Sequence, residues 1–202
     1  MGDIWLEEKE DETSEDAKKD AKKPFSVDQK LLDTRTILIY GAIDQKLAMD
    51  VSRKLLVLAA DSDDDIKIFI NSQGGHVESG DTIFDMIRFV KPQVKIIGTG
   101  WVASAGALIF VAADKKNRFC LPNTRFLLHQ HSGGVMGQAT DIGIEAKEIV
   151  KMRKRLNQIF ADATGQPLER IEKQTDRNFW MTAKEAIEYG LVKKVITSAT
   201  EI

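Results

Sequence analysis

Two residues in this chain are spaced as a nucleophile and its base would be. Ser104 stands in Trp101-Val102-Ala103-Ser104-Ala105-Gly106-Ala107, and His129 follows twenty-five positions later in Leu127-Leu128-His129-Gln130. The apolar run Val94 to Ile97 reads as a strand that ends before Ser104, where a small-residue helix begins. A serine on the first turn of a buried helix points its oxygen into a field of unpaired N–H groups. Ala103, Ala105 and Gly106 leave room for other backbone to approach that oxygen. A hydroxyl, an imidazole and backbone donors together suit acyl transfer. Alone, a serine near a helix start more often caps or packs, and this segment is not the G-x-S-x-G elbow.

A second piece lies upstream in Phe69-Ile70-Asn71-Ser72-Gln73-Gly74-Gly75-His76-Val77. Its apolar run ends in a double glycine followed by a helical pattern. Glycines at such a junction leave N–H groups exposed with no Cβ in the way, as an oxyanion needs. By itself the segment reads as an ordinary turn.

The elements that must position these residues alternate between strand and helix. Strands are expected at Thr36 to Tyr40, Ile66 to Ile70, Val94 to Ile97, Phe119 to Leu121 and Arg125 to His129. Between them fall helices: Asp44 to Ala60 with Leu47, Val51, Leu55 and Leu58 on one face, Glu78 to Val90 with Ile83, Ile87 and Val90 inward, and Ser104 to Ala113. Pro92 stops the second. A long helix, Gln138 to Ala163, closes at Gly165 and carries Ile142, Ile149, Leu156, Ile159 and Phe160 at helical spacing. Thr182 with Glu185 forms a capping box for a last helix ending at Gly190. Such alternation predicts an α/β fold with a mainly parallel sheet.

Composition fits one globular domain of about 200 residues. Residues 1–24 stand apart: nine acidic and five basic side chains give −4, so the whole chain's −2 leaves +2 for the rest. That acidic stretch, with few apolar anchors besides Ile4, Trp5 and Leu6, is expected to stay mobile; the domain proper is read as 25–202. Near-neutral charge gives no sign of a nucleic-acid surface. The longest apolar run, Trp101 to Ala113, is too short for a bilayer, and no signal peptide is visible. A single cysteine, Cys120, suits a reducing compartment and reads as a small buried residue, so a cytoplasmic location is expected. His129-x-His131 lacks a third ligand at a sensible spacing, so no metal is expected. No G-x-x-x-x-G-K-[ST] run is present.

Five segments in order resemble the ClpP family, the proteolytic subunit of the Clp ATP-dependent protease: Ile70 to Gly75, the stretch around Ser104, Arg118-Phe119-Cys120-Leu121-Pro122-Asn123 leading to His129-Gln130, Gly137 to Ile142, and Met181 to Ala186. The resemblance implies a crotonase-like ClpP fold with a protruding handle helix, about 130–163, for ring-to-ring contact. It implies a serine endopeptidase that cuts unfolded polypeptides to short peptides inside a barrel fed by an AAA+ unfoldase. Partners would be homo- or hetero-heptameric rings stacked as a tetradecamer, with no membrane or nucleic acid. No cofactor is implied, ATP being used only by the unfoldase.

Carried over by position, Ser104 would attack, His129 would move the proton, and the N–H groups of Gly75 and Ala105 would hold the oxyanion. His76, Val77, Gly133 and Gly134 would line the substrate groove, where extended peptide binds by strand addition. Leu55, Leu56, Phe69, Phe89 and Phe119 match the family's unfoldase-docking clefts, with buried core the alternative for each. Asp176 and Arg177 fall where relatives form ring-to-ring ion pairs. The family's triad acid falls on Asn178, an amide rather than a carboxylate. Asp176, two residues away, is the alternative partner for His129. Lys67, Gln73, His76 and His131 also depart from the usual residues, as does the N-terminal stretch. Two further readings stand beside the peptidase: a weakly active or regulatory subunit of a mixed tetradecamer, and a crotonase-type acyl-CoA enzyme with no Ser–His pair.

Overall fold

Isoleucine at every second position sets the architecture. Ile37 and Ile39, then Ile66, Ile68 and Ile70, are all fully buried, at the two-residue period of extended chain. The computed structural model describes residues 26–130 and 136–202. After a short exposed helix α1 (Val27–Asp33), it places these isoleucines on β1 (Thr36–Ile43) and β2 (Ile66–Gly75), which pair in parallel. Joining them is α2 (Gln45–Asp61), started by the Asp44 carboxylate accepting the Leu47 N–H at 2.8 Å. Its buried residues Ala48, Val51, Leu55 and Leu58 follow helical spacing. Each of the larger three contributes about 1.5–3 kcal/mol by leaving water.

The next crossover, α3 (Val77–Phe89), leads to β3 (Val94–Ala103), parallel to β2. β3 forks. Its first half pairs with β4 (Arg118–Cys120), its second with β5 (Arg125–Leu128). Between β3 and β4 runs α4 (Ala105–Phe110), buried on every side. Then come α5 (Ala139–Thr164), α6 (Leu168–Thr175), β6 (Phe179–Thr182), α7 (Ala183–Tyr189) and β7 (Lys194–Val195). Among the described residues the sheet has the order β1-β2-β3-β4-β7, with β5 and β6 attached at the fork of β3. Among these described strands only the β5–β6 pair is antiparallel.

The main parallel sheet and its crossovers agree with the sequence reading, and several bounds and short elements differ. β2 and β3 run several residues past the expected ends at Ile70 and Ile97. Asn71-Ser72-Gln73 and Gly98-Thr99-Gly100 break the apolar pattern there, yet the backbone ladder continues across a register shift between Ile70 and Ser72. α4 is shorter than Ser104 to Ala113, stopping at Phe110. Periodicity gives no sign of α1, α6, β6 or β7: α1 buries nothing, α6 only Ile171 and Thr175, and the two strands are 4 and 2 residues long.

The N-terminal part of α5 stands clear of the sheet: Ile142, Ile144 and Val150 are exposed, whereas Asn157, Phe160, Ala161 and Thr164 are buried. Arg155 joins the helix to α3 through two bonds to Asp81, at 2.8 and 2.6 Å. Arg118, nearly sealed from water, ties the root of α5 to the sheet by donating to the carbonyls of Ala163 (2.8 Å) and Leu191 (3.2 Å). Burial lowers its pKa to about 10, against the opposing pull of Asp114. Among the described residues, no helix is long and apolar enough to cross a membrane. The acidic stretch 1–24 and His131, Gly133 and Gly134 lie outside the described residues.

Candidate active site

Ser104 occupies the corner between β3 and α4, with φ 56° and ψ −122°. A non-glycine residue held there costs about 1–3 kcal/mol and persists only where its surroundings fix it. The surroundings are specific. Its N–H donates to the Leu127 carbonyl at 3.0 Å, and its own carbonyl accepts from the N–H groups of Ala107 (2.9 Å) and Leu108 (3.1 Å). The side chain makes no capping bond, so the hydroxyl is not spent on the helix start.

Gly74 and Gly75 close on this corner from the end of β2. A Cβ on Gly74 would lie 2.6 Å from Ser104 Cβ and 3.1 Å from its Oγ. A Cβ on Gly75 would lie 2.2 Å from the Ile43 carbonyl oxygen. No side chain fits at either place. Ser72, fully buried, locks the turn: its hydroxyl donates to the Gly41 carbonyl (2.6 Å) and accepts the Gly74 N–H (3.0 Å). Its signal in the sequence is a hydroxyl two residues before a glycine, the pattern of a side-chain-closed turn. Ala105 is the first residue of α4, where a helix leaves its N–H groups without internal acceptors. Gly80, on the first turn of α3, packs on it so closely that an added Cβ would sit 3.2 Å from Ala105 Cβ.

His129 follows β5 directly, and Leu128 at its end pairs with Phe179 of β6. The imidazole stands between two cavities. One it shares with Ser104, Val77, Ala105, Leu108, Leu156 and Phe160; the other with Gln130, Asp176, Arg177 and Asn178. Ser104, His129 and Asn178 thus lie at the ends of β3, β5 and β6, with His129 lining both cavities. Among the described residues, no hydrogen bond links the His129 ring to Ser104 or to Asn178, and Asn178 is exposed. Asp176 is engaged elsewhere, accepting from Arg153 of α5 at 3.2 Å. The next residue along from His129 is anchored: the Gln130 N–H donates to the Thr175 carbonyl (2.6 Å), and the Thr175 hydroxyl donates to Asn157 of α5 (3.0 Å). Nothing in the spacing of these residues announces that link.

Val77 lies in the Ser104 cavity. His76 has a role that its type does not advertise: it is the N-cap of α3, its Nδ1 accepting the Ser79 N–H at 3.3 Å. The docking candidates divide. Leu55 is a correction: it is wholly buried in the α2 seam at the i+4 position from Val51 and is core. Leu56 and Phe89 are exposed, by 49% and 77%, and Phe69 and Phe119 are half-buried on the sheet. Arg177 is exposed, with Nε 4.0 Å from Asp176. Cys120 is buried, as its type suggested, and burial pushes its thiol up to about 12. Among the described residues there is no cluster of three or more metal-ligating side chains.

Comparison with known proteins finds relatives over most of the chain. The family model for Clp protease matches residues 18–199. The ATP-dependent Clp protease proteolytic subunit 3 of Rhizobium etli is 57% identical over 95% of this chain and 99% of its own length. Proteolytic subunit 2 of Gluconobacter oxydans is 59% identical over 96% of this chain and 88% of its own. Among solved structures, ClpP1 from Listeria monocytogenes superposes with a TM-score of 0.79 at 57% identity, covering 87% of this chain and 99% of that one. An asparagine-to-aspartate mutant of the Listeria monocytogenes ClpP1 gives a TM-score of 0.80 at 59% identity, with 85% and 96% covered.

Proposed function

The chain belongs to the Clp protease family and is a serine peptidase subunit; from that premise we propose that Ser104 and His129 carry its chemistry. Ser104 Oγ attacks the scissile carbonyl while His129 takes its proton. The N–H groups of Gly75 and Ala105 receive the developing oxyanion. His129 then gives the proton to the leaving amine, and water, activated by the same imidazole, frees the acyl group. The observation that supports this most is the uncapped Ser104 hydroxyl, held at a costly φ against Gly74 and sharing a cavity with His129.

Asn178 takes the third position. An amide oxygen can orient an imidazole N–H but does not offset the imidazolium charge. In chymotrypsin-type peptidases the equivalent carboxylate-to-amide change lowers kcat about 10⁴-fold, roughly 5 kcal/mol of barrier. The chain is accordingly a slow peptidase by itself. Its substrates are unfolded polypeptides, bound in extended form beside Val77. It works in the cytoplasm as a ring subunit with a partner ATPase, which docks on the exposed aromatic and aliphatic positions Phe89 and Leu56.

The deciding measurement is hydrolysis of a short fluorogenic peptide by wild type and Ser104→Ala, beside labelling with a fluorophosphonate. A rate and a label that both vanish in the variant are expected. Equal background rates and no label in either protein would end the reading.

A further inference from the structure

His76, its side chain 60% exposed, is the unusual element beside this site. Asn, Asp, Ser and Thr cap helices well because their short side-chain oxygens reach the N–H groups of the first turn. Here an imidazole nitrogen does it. Nδ1 accepts the Ser79 N–H at 3.3 Å and the Ser79 hydroxyl at 3.0 Å, and Ser79 Oγ lies 3.2 Å from Gln45 Oε1 of α2. The other ring nitrogen, Nε2, lies 3.3 Å from the Glu78 carboxylate. The His76 backbone N–H is fastened to the Ile43 carbonyl at 2.8 Å.

The turn so capped touches each part of the acyl-transfer site. Gly75, whose N–H is the first oxyanion donor, immediately precedes it. Val77 forms a wall of the cavity holding Ser104 and His129. The Gly80 N–H closes the turn on the His76 carbonyl at 3.1 Å, and Gly80 abuts Ala105, whose N–H is the second donor. Both donors are therefore braced by one turn of helix, and one side chain keeps that turn from fraying.

We infer that His76 is a positioning residue for peptide-bond cleavage: by capping α3 it holds the Gly75 and Ala105 N–H groups in the register that receives the oxyanion. This rests on the assignment of Ser104 as nucleophile and goes beyond a place in the substrate groove.

The test uses the full chain as His76→Ala and His76→Asn beside wild type, with Ser104→Ala as the control for that assignment. Loss of one oxyanion donor costs about 10²–10³ in kcat, so loosening both by a frayed turn is expected to cost about tenfold, with KM little changed. The Asn variant, which restores a capping oxygen, is expected to recover most of that loss. Amide hydrogen exchange gives a readout independent of turnover. His76→Ala should accelerate exchange in peptides covering 74–80 and also in those covering 105–108, and His76→Asn in neither. The inference is overturned by acceleration confined to 76–80, by wild-type kcat in the Ala variant, or by an Asn variant as slow as Ala. If wild type and Ser104→Ala hydrolyse peptide equally, the nucleophile assignment fails instead, and the exchange pattern still decides whether His76 braces both segments.

Discussion

The two halves of the site are built differently. On the Ser104 side, contacts at Gly74 and Gly75 are too close for any added side chain, and Ala105 packs against Gly80. On the His129 side, the imidazole is half-buried between two cavities and the amide at the acid position is exposed without a bond to it. The half proposed to stabilise charge is thus closely packed, whereas the half proposed to move a proton sits at a rim. Stabilising charge needs donors that do not reorganise, and packing supplies that. Orienting a base needs a partner of the right chemistry, and here the chemistry is weak.

That contrast can be broken most severely at Gly75. In Gly75→Ala the new methyl would overlap the Ile43 carbonyl, so peptide hydrolysis is expected to fall by at least ~10²-fold, with a lowered Tm. Unchanged kinetics would mean that the turn is not braced as described. The rim side should respond in the opposite direction. Asn178→Asp places a carboxylate beside His129 and is expected to raise kcat about tenfold, a fraction of the chymotrypsin-type scale because the position is open to water; a slower variant would place the orienting group elsewhere.

The smallest effect should come from Cys120, which pairs with Gly98 on the rigid side of the fork. Only the thiolate reacts, and burial holds this thiol up at about 12. Alkylation of the native protein by iodoacetamide should stay negligible between pH 7 and 9, well below that value, and become rapid only in denaturant. The sign of the linkage follows. Keeping the thiol neutral contributes stability that is whole below the ordinary thiol range and is lost as pH climbs toward 12. Fast native labelling would show the rigid half opening.

Much of the scaffold was legible because it depends on period and on caps. The seam Val51, Leu55 and Leu58, the Thr182–Glu185 capping box and the left-handed closure at Gly165 are where spacing and residue type put them. The convergence of Ser104 and His129 was legible from the family resemblance, not from periodicity. What escaped has a shared cause: polar residues doing structural work inside. Ser72 and Thr175 are buried and bonded, Arg118 is buried with carbonyls as partners, and β2 runs on through Asn71, Ser72 and Gln73. A polar letter reads as loop, and only tertiary partners reverse that. His76 was hidden for a related reason, since imidazole is not a favoured cap and nothing local marks it as one.

The fork in β3 makes chain length itself a protected quantity. Its first stretch is matched to β4 through Gly98, and its second to β5 from Trp101 onward. An insertion of one residue in that gap would turn every later side chain to the opposite face. Ser104 would then swing away from its glycines while the earlier rungs stayed in place. This seam should therefore accept changes of letter far more readily than changes of count.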